Sequence, residues 1–137
     1  GVKDATGDLK RLDQTIKKLG PEFIQLTGED GLAFEFNKRG GVGIISVTAN
    51  IAPKLCSEMQ RYSKSKSDNE MKEAERIDQL LQPLHKSLFL ESNPAPVKYA
   101  AKLLGLCDDS IRLPLVKIKK ETQEEVKKAL HSAKLLS

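Results

Sequence analysis

Lys3-Asp4-Ala5-Thr6-Gly7 is the segment of this chain best equipped for chemistry. A lysine at the end of a strand, with a glycine turn after it, can lie in a desolvated mouth where its amine is kept neutral. A neutral primary amine attacks a ketone to give an imine, and the protonated imine is a better electron sink than the ketone. Most lysines of a soluble chain are solvated surface charges. The chemistry therefore depends on the elements that hold Lys3.

Other constellations are weaker. His85 and His131 fall in separate helical stretches, and no Cys or carboxylate spacing around them suits a metal. There is no Gly-x-Ser-x-Gly nucleophile elbow. Gly40-Gly41-Val42-Gly43 precedes a strand, whereas a phosphate-binding glycine cluster follows one and opens a helix. The glycines are thus read as a tight turn with close helix-to-strand packing. No metal and no cofactor is expected.

The positioning elements alternate. Val2-Lys3 opens a short strand over residues 1–4, and Asp8 caps a helix over 8–19 with a stripe at Leu9, Leu12, Ile16 and Leu19. Gly20-Pro21 stops that helix. A second strand is expected at 23–27, then a short helix through Leu32, Ala33 and Phe36, ended by Gly40-Gly41. The β-branched run from Gly43 to Thr48 predicts a third strand buried on both faces, followed by a helix over 51–62 bearing Leu55, Cys56, Met59 and Tyr62. Three βα units imply a parallel sheet or barrel whose working face lies at the C-terminal strand ends. Those ends carry Lys3, Thr27-Gly28-Glu29-Asp30 and Ser46-Val47-Thr48-Ala49-Asn50. Ile24, Leu26, Ile44 and Val47 are expected on the barrel-facing side.

Ser63-Lys64-Ser65-Lys66-Ser67-Asp68-Asn69 is a polar break, so the domains are set at 1–66 and 67–137. The second is all helical. Ser67 and Glu70 form a capping box for a long helix through Ile77, Leu84 and Leu88, which Pro83 should kink or end early. Pro96 suits the first turn of the next helix, residues 108–118 form a loop, and Thr122 with Glu125 forms a box opening the last helix.

Composition narrows the partners. Of 137 residues, 31% are charged and 39% apolar, a soluble globular mixture. No apolar run approaches the about 18 residues of a membrane helix, so no membrane is expected. The net charge of +4 comes from 23 basic and 19 acidic residues that alternate along helices, and aromatics are 4% with no Trp. That pattern argues against nucleic acid. Cys56 and Cys107 are read as buried free thiols of a reducing cytoplasm. The start at Gly1, with no Met and no basic-then-apolar leader, predicts a piece of a longer protein.

Gly1-Val2-Lys3-Asp4-Ala5-Thr6-Gly7-Asp8 resembles the Schiff-base lysine segment of the dihydrodipicolinate synthase family. Gly41-Val42-Gly43-Ile44-Ile45-Ser46-Val47-Thr48-Ala49-Asn50 is similar to the strand lining that family's pyruvate pocket, and Glu91-Ser92-Asn93-Pro94-Ala95-Pro96-Val97-Lys98 with Arg112-Leu113-Pro114-Leu115 to its C-terminal helical region. The resemblance runs in order from the first residue to the last.

It implies the C-terminal part of a (β/α)8 barrel, its last three βα units, followed by an all-helical domain. It implies that Lys3 forms an imine with pyruvate, that Ile45 contacts pyruvate through its backbone, and that Gly28 lies beside the same pocket. The enamine would add to aspartate semialdehyde on the route to diaminopimelate and lysine. The family's tyrosine proton shuttle, hydroxyl-relay threonine, carboxylate-binding arginine and lysine-feedback site precede the imine lysine. The implied partners are the missing N-terminal half of the barrel and further copies, as a tetramer. This chain alone is expected to be inactive. Two alternatives stand beside this reading: an N-acetylneuraminate-lyase-like pyruvate aldolase, and a non-catalytic fragment or interaction module.

Overall fold

The structure is a computed structural model describing residues 1–136, so Ser137 of the expected range 67–137 lies outside the described residues. Three short strands, β1 (Val2–Asp4), β2 (Gln25–Thr27) and β3 (Gly43–Ile44), form one parallel sheet in the order β1-β2-β3. Between them run α1 (Leu9–Leu19) and α2 (Ala33–Lys38), the latter preceded by a 3-10 turn at Asp30–Leu32. A second 3-10 turn, Thr48–Asn50, leads to α3 (Pro53–Tyr62), and three helices complete the chain: α4 (Asp68–Ser87), α5 (Ala95–Leu103) and α6 (Lys120–Ser132). Among the described residues the result is α/β, with six helices and a small parallel sheet.

The backbone divides into two compact units. The first comprises Gly1–Ser46 and Leu55–Asp78. It holds the whole sheet, and its buried side chains include Leu12, Phe34, Phe36, Cys56, Met59, Ala74 and Ile77. The second comprises Val47–Lys54 and the chain from Gln79 onward, with Leu81, Leu84, Leu88, Val97, Ala100, Val126 and Leu130 buried.

Register explains which sheet face is covered. Lys3 pairs with Leu26, which pairs with Gly43, while Thr27 pairs with Ile44. Alternation along a strand puts Lys3, Ile24, Leu26, Gly43 and Ile45 on one face, and Asp4, Gln25, Thr27 and Ile44 on the other. Gln25 and Thr27 are buried, whereas Ile24 is 57% and Ile45 54% exposed. This corrects two expectations. The third strand is open on one face, and Ile45 takes the place expected of Ile44 beside Ile24 and Leu26.

The third strand is also shorter than 43–48. Its ladder adds one bond, from Ile45 N to Thr27 O at 3.0 Å, and then stops because the next β2 donor on that edge, Glu29 N, is taken by the Thr27 hydroxyl at 3.0 Å. Without a partner the chain coils: Val47 is already αR, and Thr48 starts the 3-10 turn.

Caps show where local signals succeed. Asp8 accepts from Lys10 N at 3.0 Å and opens α1, and Gly20 closes it at φ 84°. Gly40 is likewise left-handed at φ 99°, and a Cβ on Gly41 would collide with the Phe36 ring, which bears out the tight turn and close packing. The two capping boxes do not form as expected. Ser65, not Ser67, gives its hydroxyl to Glu70. The last helix begins at Lys120, so Thr122 lies inside it, and the remote Glu91 carboxylate accepts from Lys119 N at 2.9 Å instead. Pro83 does not end α4, which runs to Ser87. Burial of Leu81, Leu84 and Leu88 offsets the lost backbone bond.

Candidate active site

Lys3 and Gly28 meet at the C-terminal end of the sheet. A Cβ built on Gly28 would collide with Lys3 Cε and stand 2.7 Å from the Ala5 Cβ and 3.3 Å from Lys3 Nζ. Glycine at this position is therefore the condition for the Lys3 side chain to lie across the end of β2. Ile45 follows the register partner Gly43 by two residues and so stands on the same open face. Of the residues singled out from sequence, Lys3 and Gly28 are in direct contact, with Ile45 one strand further on.

The backbone beneath them is pinned at several points. Val2 N donates to Ile24 O at 2.8 Å, Gly28 N to Asp4 O at 2.7 Å, and Glu29 N to the buried Thr27 hydroxyl at 3.0 Å. The turn leaving β1 is held by the Asp4 carboxylate. Its Oδ1 accepts from Thr6 N at 2.8 Å and the Thr6 hydroxyl at 2.6 Å, and its Oδ2 from Arg11 Nε at 2.6 Å. These donors, Thr6 first and Arg11 second, hold the carboxyl down at about 2. Sequence reasoning missed this cluster. Its signal was there, because an Asp two residues before a Thr is a common side-chain-to-backbone turn.

A second polar group lies on the covered side. Ser46 donates its hydroxyl to the buried Asp30 carboxylate. Burial first, then the Asp30 charge, pushes the nearby Cys56 thiol up to about 12, while its bond with Ser46 opposes them. Cys56 is buried as expected, but Cys107 is exposed. Gly105, left-handed at φ 72°, ends the turn after α5 and sends the following loop outward.

Tyr62 ends α3 with its hydroxyl accepting from Arg61 at 2.7 Å, and Tyr99 lies within α5. In the second unit His85 is bonded to the buried Thr48 hydroxyl at 2.8 Å. Among the described residues no group of three or more His, Cys, Asp or Glu side chains has metal-holding geometry, and no helix is long and apolar enough to cross a membrane.

Residues 1–133 match the dihydrodipicolinate synthetase family. The chain is 64% identical over 136 residues to a 4-hydroxy-tetrahydrodipicolinate synthase of Pelagibacter ubique, covering 99% of this chain and 46% of that protein. Among solved structures it resembles the dihydrodipicolinate synthase of Thermotoga maritima, with a TM-score of 0.91 at 34% identity, covering 99% of this chain and 46% of that one. It also resembles the chloride-inhibited dihydrodipicolinate synthase of Acinetobacter baumannii complexed with pyruvate, with a TM-score of 0.91 at 40% identity and the same two coverages. The chain spans about half the length of the curated relatives it matches.

Proposed function

Because the chain belongs to the dihydrodipicolinate synthetase family, we propose that it carries the imine-forming lysine of a 4-hydroxy-tetrahydrodipicolinate synthase. The observation that carries this reading is Lys3 lying over Gly28 at the strand ends, on the open face it shares with Ile45.

Lys3 Nζ attacks the ketone carbon of pyruvate, and the carbinolamine loses water to leave an iminium ion. Loss of a methyl proton gives the enamine, whose terminal carbon bonds to the aldehyde carbon of aspartate semialdehyde. The amino group of that second substrate then displaces Lys3 from the imine carbon and closes the ring. One water leaves overall, and Lys3 is regenerated. The backbone at Ile45 contacts the bound pyruvate, and Gly28 keeps room beside it.

Residues 1–66 supply the last three βα units of a (β/α)8 barrel, and residues 67–137 the helical domain. A preceding N-terminal half supplies the other strands, the proton-transfer groups and the site for the semialdehyde carboxylate. Support for a further segment comes from the chain's 46% share of its relatives' length and from the exposed Ile24 and Ile45. The 137-residue chain alone is inactive, and the assembled protein is a cytoplasmic homo-oligomer.

Turnover of pyruvate with aspartate semialdehyde by the complete protein tests this reading. Lys3→Ala and Lys3→Arg should both abolish it, since a guanidinium keeps the charge but cannot form an imine. Turnover by either variant would overturn it.

A further inference from the structure

We propose that Asp4 is a positioning residue for Lys3: through Thr6, Arg11 and Gly28 it fixes the strand end from which the lysine reaches its substrate. The inference rests on the imine reading of Lys3.

Asp4 lies on the opposite face of β1 from Lys3, so it works through the backbone without touching the substrate. It holds that backbone twice. Its carbonyl accepts from Gly28 N at 2.7 Å, which ties down the residue whose missing side chain makes room for Lys3. Its carboxylate closes the next turn through Thr6 N at 2.8 Å, the Thr6 hydroxyl at 2.6 Å and Arg11 Nε at 2.6 Å. On the other side of Lys3, Val2 N is bonded to Ile24 O at 2.8 Å. Lys3 is thus flanked on both sides by fixed backbone, and the Asp4 carboxylate is the acceptor on which the side-chain bonds of the following turn converge.

Starting α1 does not explain these bonds. Asp8 already caps that helix through Lys10 N at 3.0 Å. Arg11 stands in the first turn of α1, which holds no acidic residue, and a cation there is disfavoured by the helix dipole. An arginine in that place is useful where Asp4 needs a partner. The carboxyl, held down at about 2, stays ionised at any working pH, so the clamp is constant. It carries no switch.

The complete protein tests this, using pyruvate and borohydride and following the adduct on Lys3 with time. Asp4→Ala should cut the maximal trapping rate by about tenfold or more, as a displaced reacting group does, with half-saturating pyruvate within about twofold of wild type. Asp4→Glu keeps an anion within reach of Arg11 and should return to within about threefold of wild type. Arg11→Met, at an exposed site, should cost about threefold or more and serves if Asp4→Ala fails to fold. A maximal rate for Asp4→Ala within about twofold of wild type would overturn the proposal, as would Asp4→Glu trapping no faster than Asp4→Ala. The absence of any wild-type adduct on Lys3 is a different result: it removes the imine reading and this inference with it.

Discussion

Two residue types of mixed reputation, lysine and cysteine, are sorted here by surroundings rather than by sequence neighbours. Lys3 acquires its place because Gly28 leaves its side chain room and because Asp4 and Val2 pin the strand on either side. Cys56 and Cys107 both have apolar neighbours in the sequence, yet one is buried and the other exposed. The Cys56 thiol, pushed up to about 12 by burial and the Asp30 charge, is protonated almost completely at about pH 8, and a thiol is a poor nucleophile. An alkylating agent should therefore label Cys107 alone in the native chain and both cysteines after denaturation. Equal labelling of the two in the native chain would contradict the packing around Cys56.

At the scale of elements, the strongest signals in the sequence were those satisfied within a few residues. The Asp8 cap, the Gly20 stop, the apolar spacing of α4 and the loop over 108–118 needed no distant partner, and all are present. What needed a partner from elsewhere was illegible. The length of β3 depends on where β2 ends, and the start of α6 depends on Glu91, far back in the chain. Within the site, Lys3 stood out by its place at a strand end and drew its role, like Gly28, from resemblance, whereas the Arg11 half of the Asp4 clamp required knowing that α1 brings Arg11 back over the strand end. Pro83 shows tertiary burial overriding a local rule, since α4 passes through it. Pro83→Ala restores a backbone donor and gains helix propensity of about 3 kcal/mol, less about 1 kcal/mol of unfolded-chain entropy. Urea unfolding should show a variant more stable by about 1–2 kcal/mol. A variant of equal or lower stability would mean that the proline does more than sit in the helix.

On the scale of the whole molecule, the sheet decides how the chain behaves. Both β1 and β3 have a single strand neighbour, so each presents an unpaired edge, and one sheet face exposes Ile24 and Ile45. Open edges beside apolar surface favour association. Sedimentation of the 137-residue chain should show associated species. A compact, dispersed monomer at micromolar concentration would count against this. The same openness bears on chemistry, because an amine on a face open to water lacks the enclosure that imine formation uses.

The central claim is that Lys3 is the nucleophile and that the complete protein is needed to activate it. Its most direct test is borohydride reduction in the presence of pyruvate, followed by peptide mass mapping, on the complete protein and on the 137-residue chain in parallel. A covalent adduct on Lys3 is expected in the complete protein, and little or none in the isolated chain. An adduct on another lysine would contradict the assignment, and efficient trapping by the isolated chain would contradict the need for the rest of the barrel.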